Sequence, residues 1–338
     1  MPKFTRSNIP QLKKALAVLV IIGTLAFSIV YNNFQTFDPI QSRGSAFADA
    51  DLYIDLYYGR SPEVLRNPYR ILTPYLARLV PDPWLSAFGV SRELSEVSRA
   101  TFKFAVVNFG FLVGTSSVLY ALMRGFGFAL LEGLASTLLF LSLTHVVRAG
   151  GGPVAETGYW FFFALAALAI QRQNGWLLAV TMLIGMFAKE QMVWVGLLVL
   201  LAPFALRRKL LLLGALVPAG LLYLIWRFGF MPVGTGVRIP VSTILWSRLA
   251  RLPSLNEGLT ILLAFGLLWL PAIYALLRCT MPSLLARWIW FVPALLVFNR
   301  LMNLGNVRHT TVGFIVVVPL AIIGLRAWLE LDTKEFSQ

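Results

Sequence analysis

Two aspartates separated by one residue, Asp49 and Asp51, stand in the segment Phe47-Ala-Asp49-Ala-Asp51-Leu-Tyr53, just beyond a first apolar run. On a helix such a pair points about 200° apart, while in an extended turn both carboxylates can face one ligand. Placed that way they can share a divalent cation through oxygen ligands. Alternatively one acts as general base while the other orients it. Further along, Pro68 and Pro74 bracket Tyr69-Arg-Ile-Leu-Thr-Pro-Tyr-Leu-Ala77, whose apolar residues suit a helix lying at a membrane interface. The guanidinium of Arg70 can grip a phosphate there with two parallel hydrogen bonds.

Three later positions add charge in apolar surroundings. Lys189-Glu190 interrupts a long hydrophobic stretch. The lysine is a natural point charge for a lipid phosphate, and the pair could equally pin a turn as a salt bridge. Glu156 follows Gly150-Gly-Gly-Pro153 and sits where it can interact with the N-terminal dipole of the helix it opens. Arg308, in Asn306-Val-Arg308-His309, suits a phosphate, and His309 can titrate near neutral pH. Each also has a plainer reading as a solvated loop acid, a headgroup-contacting arginine or a helix-end charge.

The elements that must position these residues are membrane helices. Of 338 residues 58% are hydrophobic and 13% charged, with a mean hydropathy of +0.75, whereas soluble domains carry roughly 25% charged residues. Apolar runs of membrane-spanning length, about 20 residues, recur along the chain. The composition predicts one all-α polytopic membrane domain over residues 1–338.

Spans are expected at 14–32, 104–123, 128–147, 153–171, 176–188, 191–206, 210–227, 257–277, 284–299 and 310–326. Long outer segments fall at 33–103 and 228–256. An amphipathic interface helix is expected near 46–58, and Ser91-Arg-Glu-Leu-Ser-Glu reads as a capped helix start. The first run, Leu16 to Val30, follows Lys13-Lys14, and Ala46-Phe47-Ala48 resembles a signal cleavage site. The intervening polar segment is too long for a signal, so a retained span is expected.

A net charge of +14 raises the question of nucleic acid, but the distribution answers it. Arg124, Arg172, Arg207, Arg208, Lys209, Arg278, Arg287 and Arg326 fall in short segments that this threading places inside, as membrane orientation requires. Segment 34–103 balances its basic and acidic residues, and no basic stripe for nucleic acid emerges. The threading puts both termini in the cytoplasm and the outer charges on the far side of an inner (plasma) membrane. Residues 176–206 are the ambiguous step, being one long helix or two short ones meeting at Lys189-Glu190. The inward bias of Arg207-Arg208-Lys209 selects the hairpin.

A single cysteine, Cys279, forms no intramolecular disulfide, and two histidines do not furnish a His-rich zinc site. No Walker loop and no Gly-X-Gly-X-X-Gly signature is present. Glu132 is the acid that a transporter would most plausibly bury.

In the order of these elements the chain resembles the GT-C superfamily of polytopic glycosyltransferases, in particular small bacterial members that use polyprenyl-phosphate sugars. The likeness runs through Asp49-Ala-Asp51-Leu-Tyr53 in the first outer loop, then Arg70-Ile-Leu-Thr-Pro-Tyr-Leu76, similar to an Arg-X-Leu-X-Pro-X-Leu pattern. It continues with Phe187-Ala-Lys189-Glu190 between short spans and Gly305-Asn-Val-Arg308-His309 before the last span. Asn306 departs from the acid common at its position, and no large soluble C-terminal domain follows.

The resemblance implies inverting transfer of a sugar from a lipid donor to a lipid or glycan acceptor. Asp49 would be the base, and Asp51 its partner or the ligand of a Mg or Mn ion. Arg70, Lys189 and Arg308 would hold the donor phosphate, with Glu190 orienting Lys189. Glu156, His309 and Tyr53 would support the site. A polysaccharide polymerase or ligase, a transporter, and a non-catalytic scaffold subunit of cell-envelope assembly are the competing readings.

Overall fold

The computed structural model describes residues 9–36, 50–60, 70–84, 96–227, 255–301 and 310–335, and among these all regular structure is helical. Helix α1 (Ile9–Thr36) is followed by two short helices, α2 (Ala50–Tyr58) and α3 (Leu72–Leu79), then by α4 (Glu96–Gly125). Helices α5 (Leu130–Ser142) and α6 (Thr144–Ala149) lead to α7 (Glu156–Gln171) and α8 (Gly175–Ala188). A 3₁₀ turn over Glu190–Trp194 connects to α9 (Val195–Leu201), α10 (Leu206–Gly214) and α11 (Val217–Ile225). After residue 254 come α12 (Leu255–Phe265), α13 (Trp269–Arg278), α14 (Ser283–Trp288), α15 (Phe291–Leu301) and α16 (Phe314–Glu335).

Local chemistry sets several of these boundaries. Gln173 closes α7 in the left-handed region at φ 52°, and the Asn174 side chain then accepts from Leu177 N at 3.0 Å to cap α8. Glu132, in the first turn of α5, accepts from Ala129 N at 2.6 Å. Arg78 of α3 donates from Nε to the Tyr57 carbonyl at 2.5 Å and from Nη2 to that of Leu56, satisfying carbonyls that the end of α2 leaves open.

The expected interface helix at 46–58 thus corresponds to α2. The expected start at Ser91 lies outside the described residues, and from Glu96 onward that helix continues unbroken into the span predicted at 104–123.

The core lies along α7, where Tyr159, Trp160 and Phe163 are fully buried, and along α16, where Phe314 to Val318 are. Close approach depends on absent side chains. A Cβ at Gly324 of α16 would collide with the Pro271 carbonyl of α13, and one at Gly151 would stand 2.5 Å from the Phe34 backbone of α1. Outward-facing leucines such as Leu263, Leu267, Leu270 and Leu277 are exposed, an apolar surface suited to lipid and not to water.

Four of the described helical stretches, 13–34, 96–125, 206–225 and 311–330, are long and apolar enough to cross a membrane. The pair 262–278 and 283–299 meets at a bend of 112° and makes a fifth if counted as one broken span. By length and composition the described residues therefore show four or five crossings where the hydropathy pattern predicts ten. Short helices and helix breaks account for the difference: the helices at the expected spans 153–171 and 176–188 are 16 and 14 residues long. The expected span 128–147 divides at Leu143, and that at 191–206 begins as a 3₁₀ turn. The crossings expected at 257–277 and 284–299 correspond to the stretches 262–278 and 283–299, which meet at the 112° bend.

The ambiguity at 176–206 resolves in the backbone. Arg208 donates to the Gln173 carbonyl, just before α8, and Lys209 Nζ donates to the Leu200 carbonyl at 2.6 Å, near the end of α9. The chain therefore returns at residue 200 to the end of the bundle it left at residue 174, and it reverses around Lys189. Glu132 sits on the rim of the bundle, its other oxygen 3.3 Å from Arg326 of α16.

Candidate functional site: a buried double ion pair

Helix α8 stops at Ala188, and Lys189 takes an extended conformation (φ −163°, ψ 135°) before the 3₁₀ turn begins at Glu190. That one extended residue sends two neighbouring charges in different directions. The Lys189 side chain is 0% exposed and its Nζ lies 3.2 Å from Oε1 of Glu156, itself 3% exposed, at the start of α7. It also lies 5.3 Å from the centre of the Tyr159 ring, a cation–π contact of the kind that gains strength on desolvation. Glu190 turns instead to Arg70. Nε meets Oε2 at 2.9 Å and Nη2 meets Oε1 at 2.6 Å, the two-pronged geometry of a guanidinium–carboxylate pair.

Arg70 is buried just ahead of α3, and its Nη1 donates to the hydroxyl of Tyr53, on α2, at 3.3 Å. Burial works against its charge, but the Tyr53 phenol and the hydrogen-bonded Glu190 carboxylate outweigh it and hold the pKa well above the ordinary value. Tyr53 is fully buried against Ala77 of α3, Phe104 of α4 and Ala155. Four separate parts of the chain therefore converge: α2, the approach to α3, the start of α7 and the break after α8.

A neutral scaffold supports them. Asn108 of α4 donates to the Gly152 carbonyl at 2.7 Å and accepts from the Thr157 hydroxyl at 2.6 Å, all of it buried. These bonds lock the glycine-rich approach and the first turn of α7 against α4, fixing where Glu156 points. Asn33 of α1 ties in α6, which leads into that loop, by donating to the Val147 carbonyl. On the outer flank, Lys103 Nζ of α4 lies 2.6 Å from Asp82, which follows α3. The hydrogen bond and charge of Lys103 hold the Asp82 carboxyl below the usual carboxylate range.

Of the residues singled out in the sequence, Tyr53, Arg70, Glu156, Lys189 and Glu190 form one cluster. Asp51 lies in the first turn of α2, two positions before Tyr53. Asp49, Arg308 and His309 lie outside the described residues. Among the described residues no three metal-ligating side chains converge. The partnership differs from the expectation in one respect. The hydrogen-bonding fork of Glu190 is on Arg70, and Glu156 lies against Lys189, as the extended backbone at 189 sends the two side chains in different directions.

Sequence reasoning passed over Asn108, Thr157 and Tyr159. An asparagine inside an apolar run was a legible signal for the first, since a polar side chain there needs a partner.

Chemically the cluster is a neutral quartet, two cations and two carboxylates, in a dry environment. The desolvation cost of each ion is several kcal/mol, so such pairs persist only with good geometry. Compared with known proteins, the chain matches no protein-family model, no curated protein and no solved structure.

Proposed function

We propose that the chain is an integral-membrane glycosyltransferase. It takes a sugar from a polyprenyl-phosphate donor on the outer face of the plasma membrane and passes it, with inversion, to a lipid or glycan acceptor. The observation that carries this reading is the meeting of α2, which begins beside Asp49 and includes Asp51, with Arg70 and the Lys189–Glu190 break. Tyr53 of α2 and two of the three proposed phosphate-binding cations, Arg70 and Lys189, thereby belong to one cluster.

In this reading the acceptor hydroxyl attacks the anomeric carbon and gives its proton to Asp49. The bond to the lipid phosphate breaks and its electrons leave on the phosphate oxygen. Asp51 assists the base or ligates a divalent cation. Arg70, Lys189 and Arg308 offset the charge of the departing phosphate, the contribution usually largest in such transfers. Tyr53, Glu156 and His309 position them. Because the Arg70 fork is already filled by Glu190, phosphate must exchange with that carboxylate. Exchange of one oxyanion for another avoids leaving a buried guanidinium without a partner. A ten-crossing topology with both termini cytoplasmic belongs to the same proposal.

The full internal neutralisation of the quartet also supports a second reading, a non-catalytic scaffold in which the ion pairs only fix helices. One experiment separates the two. Purified protein is incubated with a panel of polyprenyl-phosphate sugars and candidate acceptors, and products are read by mass spectrometry. The transferase reading expects a glycosylated product from the parent and none from Asp49→Asn or Asp51→Asn, each with an unchanged melting temperature. Full activity in both variants, or no product from the parent with any donor, overturns it.

A further inference from the structure

The end of the bundle opposite the ion-pair quartet carries a second feature, independent of any transferase activity. Two turns meet there, 172–174 between α7 and α8, and 202–205 between α9 and α10. Arg208 and Lys209, from the first turn of α10, stitch them together by donating to the carbonyls of Gln173 and Leu200. With those two cations committed to backbone, Arg172 and Arg207 remain exposed, one on each turn's edge.

The chain from Arg172 to Arg227 contains one acid, Glu190, and that residue is at the far end, bonded to Arg70. Within this stretch, the end of the bundle at these two turns is therefore purely basic. Apolar side chains border it: Trp176 is 79% exposed at the start of α8 and Leu206 is 72% exposed at the start of α10. An indole beside arginines is the arrangement found at the membrane–water boundary, where the ring lies at headgroup level.

We infer that Arg172 and Arg207, held together by Arg208 and Lys209 and flanked by Trp176 and Leu206, form a binding surface for the head group of an anionic phospholipid of the inner leaflet. Charge complementarity selects the occupant. The phosphodiester offers oxygens to two guanidinium groups, and the stretch 172–227 supplies no carboxylate at this end to compete with it. The acyl chains lie along the exposed leucines. A zwitterionic lipid places its own ammonium against the same arginines, which disfavours it.

The test uses the full chain in detergent, with added phosphatidylglycerol, phosphatidylcholine or inorganic phosphate, read by native mass spectrometry and by melting temperature. Phosphatidylglycerol should remain bound after detergent removal and raise the melting temperature above the value with phosphatidylcholine. Arg172→Gln/Arg207→Gln should lose that preference by about twenty-five-fold, since each basic residue near an anionic surface contributes a roughly fivefold factor. Arg172→Lys/Arg207→Lys should retain most of it, which a purely structural role for these exposed residues does not require. Equal binding of the two lipids, an unchanged preference in the glutamine variant, or equal stabilisation by inorganic phosphate overturns the inference.

Discussion

Lys189 shows how much one side chain can demand of its surroundings. A fully buried ammonium persists because Glu156 and the Tyr159 ring replace its water. Removing one partner leaves the other charged and dry. Lys189→Ala is therefore expected to destabilise the protein by about 3–5 kcal/mol. A well-packed double replacement, Lys189→Met/Glu156→Leu, should recover most of the loss, because no charge is then left unpaired. Thermal unfolding of the single and double variants in detergent measures both terms as a cycle. Additive losses with no recovery would mean that the pair is not a coupled unit.

At this scale the sequence was informative about which residues matter and poor about their partners. Arg70, Glu156, Lys189 and Glu190 stand out as charges in apolar surroundings. Which anion meets which cation depends on one extended residue at position 189, and a linear reading has no access to it. Asn108 carries no charge to mark it within its apolar run, though an amide in an apolar helix has the same obligation to be satisfied.

At the level of elements, α2 and α3 are too short to be stable alone and are held by side-chain bonds. Arg78 closes α2, the Tyr58 hydroxyl donates to the Glu96 carbonyl at 2.7 Å, and Asp82 pairs with Lys103 of α4. The Asp82 carboxyl has a folded pKa below its ordinary value. Its contribution is therefore complete above the ordinary carboxylate range of about 4 and fades as pH falls through the lowered value. Asp82 is 71% exposed, so the effect is small. Asp82→Asn should speed amide exchange in α3 by at most a few-fold near neutral pH and remove its acid dependence. Exchange in α3 that accelerates equally on acidification with and without the substitution would assign the acid response elsewhere.

The hydropathy pattern located α1, α4 and α16 well, since an apolar helix of that length has few alternatives in lipid. It could not register the break at Leu143, the left-handed Gly266 (φ 54°), or the 112° bend before α14.

Across the whole molecule, α16 is the most enclosed of the four described helices long enough to span a membrane, with 72% of its apolar window buried against 44% or less for the other three. Its backbone lies directly on that of α13, through Gly324 and Pro271. The small-residue contact makes the seam the tightest approach available between helices. Gly324→Leu is expected to force the two apart and cost about 1–3 kcal/mol, visible as a lower melting temperature. Leucine at the neighbouring Ile323, which keeps side-chain volume, should leave the melting temperature nearly unchanged. An unaltered melting temperature for Gly324→Leu would show that the seam yields freely.

The Glu156–Lys189 bond has a bearing on how the chain reaches the bilayer at all. It joins the beginning of α7 to the end of α8, so neither helix can enter oil by itself without dragging a bare ion with it. In the proposed ten-crossing topology, the two partition as a preassembled hairpin, their opposite charges cancelling at its open end while the insertion machinery releases them together. A ribosome-bound intermediate that has exposed α7 alone should linger in the translocon until residue 189 has emerged.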